Sequence, residues 1–566
     1  MVSPNAKTKI MTNRGKRFIS QCLFALPLVL AVFLFFLLPY GASFSQVTAD
    51  GKPISEIKNY AFFSITHFTV KQSFFSVLVS LLLGLPGALL AGSGKLRISP
   101  FFRIVTAIPF SVPSILAIMG FVLFFGNSGW INKFFIFCLG TRDGPIRILY
   151  KPEAIILAHG FFNFPLVIRL VGDGISRAKK SYASAAANLG ASPFMTAFTV
   201  ILPLSIPSIL SSILLVFLYS FTSFAVVLVL GGGPASTTLS VEIYRYARLF
   251  LNYRNAGIFA LTETLITVSV FCTYIFLGKK YHEIKPEMDD QFSDINVHLP
   301  FINIISFIYI TIITIFILGP LVSVVLESFL YQSSRSAFPV FGLRWWRLGH
   351  TWFSALLRSL FLAFISSTLS CFLAIFAAES IKLSEKKGNS TLSNIVRFCA
   401  AAPVVSSGIV LGLGWLILYG KNSSAFTLVL LHGIMALPFS FNSIHEGFRS
   451  LPNYTLDAAS NLGAGYFRSL VTITLPLSGK RIRSAWAFAA ALSLGEINTV
   501  IMLGMENFET IPLYIYRAIG AYRYGTACAA GTLLILCCTA CFLFSEHFVG
   551  NTSPGKVNKQ NFRKAN

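Results

Sequence analysis

A few residue types in this chain could do chemistry, and most of them stand in apolar surroundings. Glu496 and Glu263 each fall within a long hydrophobic stretch. A charge buried in such a stretch is costly, so each is a functional candidate by default. Ser223 occupies the position matching Glu496 in an internal repeat described below. His159 and His432 also match one another and read as helix-packing residues rather than ligands. Cys538 and Cys541 have the spacing of a metal or redox pair. Inside an apolar helix, though, such thiols read as packed or lipid-facing groups. No zinc-type His/Cys spacing or strained-serine turn stands out. The Gly-Lys pairs Gly94-Lys95 and Gly479-Lys480 lack the glycine five residues before and the Ser/Thr after that a phosphate-cradling loop needs. Chemistry on a substrate is therefore not expected.

The elements around these residues belong to a membrane protein. Of 566 residues 55% are hydrophobic and only 12% are charged, about half the usual share for a soluble chain. With 56 Phe, this excludes an ordinary cytosolic enzyme, a disordered chain and a secreted domain. The net charge of +24 reads as the bias of cytoplasmic loops toward Lys and Arg. Nucleic-acid binding would need a basic soluble face, and no segment is large enough to hold one.

A membrane-crossing helix needs about 20 mainly apolar residues. Twelve candidates are read: Phe18–Pro39, Gln72–Ala91, Ile104–Gly126, the short Ala154–Ile168, Leu204–Leu230, Asn255–Gly278, Leu299–Leu326, Ser359–Ala378, Phe398–Tyr419, Asn422–Ile444, Ser484–Leu503 and Tyr524–Ser545. With the N-terminus inside, more than half of the 45 Lys and Arg fall in inside segments. Both termini are then cytoplasmic, as an even number of spans requires. The first span follows Arg14, Lys16 and Arg17 and is too long for a signal peptide, so it reads as an uncleaved anchor.

Two halves repeat one another. Ala186-Ala187-Asn188-Leu189-Gly190-Ala191 aligns with Ala459-Ser460-Asn461-Leu462-Gly463-Ala464 at an offset of 273. The same offset carries Leu202-Pro203 onto Leu475-Pro476, His159-Gly160 onto His432-Gly433 and Pro165 onto Pro438. Upstream, Pro109, Gly120 and Gly126 match Pro403, Gly414 and Gly420 at 294, which implies a 21-residue insertion after Gly126. Both repeats start from the same side of the membrane and are therefore parallel. The expected division is 1–67 tail, first helix and outer loop; 68–278 first domain; 279–298 cytoplasmic linker; 299–352 seventh helix and outer loop; 353–549 second domain; and 550–566 tail.

Each half also carries a cytoplasmic loop of about thirty residues, far longer than connections in a compact bundle. Ala183–Leu189 is a strong helix former. Gly190 follows where a left-handed C-cap belongs. A second short helix over Phe194–Ile201, or Phe467–Ile473, leads to Pro203 or Pro476 in the first turn of the next span. A helix of small residues fits a groove on a partner protein better than a lipid surface.

These loops resemble the Glu-Ala-Ala-x-x-x-Gly…Leu-Pro loop of binding-protein-dependent ABC importer permeases. The first reads Ser184-Ala185-Ala186-x-x-x-Gly190…Leu202-Pro203, and the second Asp457-Ala458-Ala459-x-x-x-Gly463…Leu475-Pro476. The acidic position departs from the pattern, with Asp457 in one half and the uncharged Ser184 in the other. Leu157–Pro165, Leu230–Thr238, Leu492–Glu496 and Tyr516–Arg523 further resemble the fused two-domain permeases for thiamine and ferric iron. The likeness covers about 72–278 and 359–545.

That resemblance implies an all-α polytopic fold of the type I ABC importer permease, with about twelve helices in two parallel homologous halves. It implies a bacterial inner-membrane location and two partners: a pair of ABC ATPase subunits inside and a periplasmic or lipid-anchored substrate-binding protein outside. No cofactor is expected in this chain, because ATP would sit on the ATPase subunits. Residues Ala185, Ala186, Gly190, Ala191, Pro203, Asp457, Ala458, Ala459, Gly463, Ala464 and Pro476 would transmit the ATPase motion. Glu496, Ser223 and Glu263 are the candidates for the translocation path, where a carboxylate would suit cationic thiamine or ferric ion. Phosphonate and polyamine are further substrates of such permeases. A secondary transporter is the main rival, but the paired cytoplasmic loops have no role there.

Overall fold

The computed structural model describes residues 22–48, 60–93, 112–178, 184–231, 236–281, 300–332, 339–347, 350–386, 389–420, 424–505 and 508–550, and a few positions between these. Both tails, most of the linker after Tyr281, and Gly232 and Pro234 of the glycine-rich run lie outside the described residues. Helices dominate the rest; the two-residue strands Leu330–Tyr331 and Val340–Phe341 pair antiparallel in the loop after Glu327.

Apolar helices satisfy their own backbone, which is why they alone can cross lipid without a closed sheet. Ten described helices are long and apolar enough to do so, and a bent pair passes the same test when its two pieces are taken together. The fourth span, short by sequence, is the full helix Pro152–Ala178. It passes Pro165 without ending, as Ala425–Arg449 passes Pro438. The ninth is not one straight helix: Ser390–Val405 and Gly408–Tyr419 meet at 99°. The spans expected over Leu204–Leu230 and Ser484–Leu503 are also interrupted. Leu202–Phe221 stops before Ala225–Leu230, and Gly479–Gly495 before Asn498–Leu503.

The two halves pack alike. Tyr60–Ser93 lies along Pro152–Ala178, and His350–Lys386 along Ala425–Arg449. Leu202–Phe221 and Gly479–Gly495 each complete their half's three-helix core. The leading helix of each half, however, packs against the other half. From Cys22–Ser45, Phe24 meets Phe376, and Phe35 O accepts from Trp415 Nε1–H at 3.1 Å. Ser43 Oγ–H donates to Val410 O at 3.2 Å. From Pro300–Glu327, the Tyr309 hydroxyl donates to Leu83 O at 2.6 Å, and Phe316 packs among Phe121, Phe161 and Phe164. Gly120 lies against the Pro320 carbonyl, and Gly414 against that of Pro39. A side chain at either glycine would push a leading helix away. The halves are thus clasped by exchanged arms, and one apolar core runs through both.

Candidate functional site

The two repeated loops fold as the local signals require. Ser184–Asn188 and Asn453–Asn461 are helical, and Gly190 and Gly463 both take φ of +80°. Only glycine adopts that region at no steric cost. The chain then closes with the same bond in each half: Ala191 N–H donates to Ala186 O at 3.0 Å, and Ala464 N–H to Ala459 O at 2.9 Å. This six-to-one bond satisfies a helix-end carbonyl. Ala185, Ala458 and Asp457 are exposed, and Ala459 is buried.

Leu189 and Leu462, which precede the two glycines, are 88% and 89% exposed. Sequence reasoning missed this pair, although both lay within the matched segment. A leucine before a cap glycine reads as the last core residue of a helix. Here no described residue covers it.

The second short helix of each loop runs on into the membrane helix through a single widened turn, Ala197–Ile201 or Leu470–Thr474. Leu202 N–H reaches back to Ala197 O, and Leu475 N–H to Leu470 O. Pro203 and Pro476 come next. Each lacks an N–H and crowds the carbonyl four residues before it, which favours this i→i−5 spacing.

Glu496 and Ser223 lie at the interruptions, not in the middle of unbroken spans. Glu496 ends Gly479–Gly495, and its Oε1 accepts from Thr499 N–H at 3.1 Å, capping the half-helix that follows. Thr499 Oγ1 hydrogen-bonds His432 Nε2 at 3.3 Å, His432 Nδ1 bonds Ser493 Oγ at 2.9 Å, and Ser366 donates to Ser493 at 2.9 Å. The structure thus draws Glu496 and His432 into one buried chain of bonds through four helices.

The first half is poorer in partners. His159 Nδ1 bonds Ser76 Oγ at 3.1 Å, and its Nε2 has no partner among the described residues. Val226 stands where the second half has Thr499. Ser220, the counterpart of Ser493, is held instead by Asn163 at 3.1 Å and, through its carbonyl, by Gln72 at 3.1 Å.

Glu263 sits elsewhere, in Tyr253–Tyr281, and is 1% exposed. Ser240 Oγ–H donates to its Oε2 at 2.8 Å, and Ser407, at the kink of the bent pair, lies against the same carboxyl. The adjacent Thr264 shares a hydrogen bond of 3.0 Å with Tyr40 of the first helix. Glu263 therefore sits in a polar seam between the halves. Gly408, one residue past Ser407, faces Glu496 Oε1. The kink in this way brings the two candidate carboxylates to opposite sides of one short segment.

Two arginines at matching positions pair differently. Arg245 bonds the buried Glu242 at 2.6 Å, whereas Arg517 bonds Glu509 at 2.8 Å. Cys538 and Cys541 are free thiols, Cys538 buried and Cys541 half-buried.

Comparison with known proteins agrees with this architecture. Residues 84–283 match the family described as binding-protein-dependent transport system inner membrane component. The thiamine transport system permease protein ThiP of Brucella suis is 26% identical over 490 residues, covering 85% of this chain and 87% of that protein. The protein of the same name from Escherichia coli is 25% identical over 505 residues, 86% and 89% of the two chains. The ferric transport system permease protein FbpB of Actinobacillus pleuropneumoniae is 23% identical, covering 99% of this chain and 82% of that protein. The family match over 84–283, the repeat that carries the same pattern into the second half, and these alignments along most of the chain converge: residues 84–283 form a binding-protein-dependent transport inner-membrane domain, and the chain as a whole is similar to fused two-domain permeases of that kind.

Proposed function

We propose that this permease forms the path by which thiamine enters the cell. The observation that carries the reading is alignment along most of the chain with permeases named for thiamine. Thiamine is a cation, and Glu496 supplies a carboxylate at a helix interruption rather than sealed inside a helix. Ferric iron is the second reading, supported by the ferric permease that aligns with nearly the whole chain.

Two ATPase subunits sit on the cytoplasmic side and bind the ATP, since the sequence has no phosphate loop. Their motion enters through the Gly190 and Gly463 loops, where Leu189 and Leu462 stand out as apolar knobs for a groove. A substrate-binding protein delivers ligand to the opposite face. Both termini are cytoplasmic. The halves rock about their shared interface, alternating access to the two sides.

The test is reconstitution of the permease with its ATPase subunits and binding protein in vesicles. ATP-dependent thiamine uptake is expected, with no hydrolysis by the isolated chain. Uptake of ferric ion instead would move the substrate assignment. Robust ATPase activity from the permease alone would overturn the whole reading.

A further inference from the structure

Three described residues other than glycine have a positive φ: Tyr150 at 61°, Leu251 at 52° and Tyr522 at 58°. The left-handed region is disfavoured for any side chain with a Cβ, and bulky residues there mark strain held for a purpose. All three are exposed, Leu251 at 66% and Tyr522 at 82%. All three also lie on the face opposite the Gly190 and Gly463 loops. Tyr150 precedes the helix that descends toward the first loop, and Leu251 and Tyr522 precede the last helix of their halves.

Leu251 and Tyr522 are repeat counterparts, each two residues before the matching Tyr253 and Tyr524. Each turn closes with a bond from the residue after the anchor: Asn252 N–H to Tyr246 O, six residues back across the widened turn Arg245–Leu249, and Arg523 N–H to Ala518 O, five back, both at 2.8 Å. Glycine is the usual occupant of this position. Both halves instead hold a large side chain there and aim it at solvent.

The surroundings are aromatic and basic. Tyr522 meets Tyr524 edge to face at 6.3 Å, and Tyr150, which follows the insertion after Gly126, is exposed as well. Gly525 packs on the Trp345 indole, and the Arg344 guanidinium covers that ring at 5.4 Å. Arg523 is exposed beside Tyr522. In the other half Arg245 lies over the exposed Phe250 ring at 5.7 Å. Aromatic and arginine residues dominate the energetic centres of protein interfaces. A lipid headgroup would be served by any tyrosine or tryptophan at this depth and requires no strained, duplicated turn.

We propose that Leu251 and Tyr522 are paired anchors of a docking surface for the substrate-binding protein. The partner bridges both halves and presents acidic side chains to the exposed Arg523 and Arg344 on the Tyr522 side. This rests on the importer reading above and adds to it where, and by what chemistry, the partner is held.

Glycine substitution isolates the side chain from the turn. In the Leu251→Gly/Tyr522→Gly double variant the backbone keeps a conformation that glycine prefers, so the melting temperature should hold or rise. The assay is titration of the permease–ATPase complex in nanodiscs with the purified, ligand-loaded binding protein of the same transport system, following affinity and ATPase stimulation. The expected result is affinity weaker by about tenfold or more, with basal hydrolysis unchanged, and a smaller, salt-dependent loss in Arg523→Glu. Affinity within twofold of wild type in the double variant overturns the docking surface and leaves these residues as lipid-interface anchors, while the importer reading stands. A wild-type complex that binds no such protein overturns both.

Discussion

The two halves are nearly the same machine at their Gly190 and Gly463 loops and different machines at their helix interruptions. At the loops Gly190 and Gly463 share one backbone angle, one closing bond, one exposed leucine and one widened turn before a proline. At the interruptions Ser223 and Val226 face Glu496 and Thr499 across the repeat. Only the second half builds the bonded chain from Glu496 through His432 to Ser366. Toward the loops the contrast recurs. Gly172 sits close to Ala91 in the first half, whereas the matching His445 lies near the Glu385–Arg397 ion pair. Two equal ATPase partners would require the loops to stay alike. A single substrate crossing between the halves requires nothing of the kind, so the interruptions were free to diverge.

The largest expected effect breaks the equality of the loops. Gly463→Arg should reduce uptake by tenfold or more while hydrolysis continues, because a Cβ at a left-handed cap costs roughly 1 kcal/mol and the long cation would obstruct a tight groove. Gly190→Arg should do the same less severely, since Ser184 lacks the carboxylate that Asp457 retains. Uptake and ATPase assays on vesicles compare the two, and normal transport by both variants would remove the coupling role.

A smaller effect sharpens the inequality of the interruptions. Glu496→Gln keeps an acceptor for Thr499 N–H but removes the charge. If the carboxylate offsets a cation in transit, uptake should fall several-fold while stimulation by the loaded binding protein survives. Loss of stimulation would instead place Glu496 in the response to docking, and unchanged uptake would take it out of the path. Glu496→Ala additionally removes the cap and should lower unfolding stability by about 0.5–2 kcal/mol.

The smallest effect exchanges partners between the halves. Thr499→Val should cost about 1 kcal/mol by leaving His432 Nε2 unbonded, whereas Val226→Thr should offer His159 the partner it lacks and recover a comparable amount. Thermal unfolding in matched detergent decides it. Two changes of the same sign would mean that the histidine chain does not explain the difference.

Much of this protein was legible before any folding was considered. Membrane residence, the repeat, the two loops and the identity of their glycines follow from composition and short-range pattern. These depend on local physics: apolar length for crossing, φ for a cap, a missing N–H before a turn. The exposed leucines were in plain view within the matched segment, but exposure is a property of neighbours and not of sequence.

The remainder was decided by tertiary contact. Apolar stretches continue on both sides of Thr222–Phe224 and Gly495–Asn498, so length and hydropathy alone read one span across each break; the Thr499 N–H freed at the second break donates to the Glu496 side chain, whose Oε1 the fold turns back to meet it. Glu263 reads as an isolated charge in a span, and only the approach of Ser240 and the kink at Ser407 makes it part of a seam between halves. That each leading helix clasps the opposite half is likewise invisible in either repeat, because lipid and a neighbouring helix are equally apolar to a leucine. What separates them is close packing at Gly120 and Gly414 and a few directed bonds such as Tyr309 to Leu83, and these exist only once both halves are folded against each other.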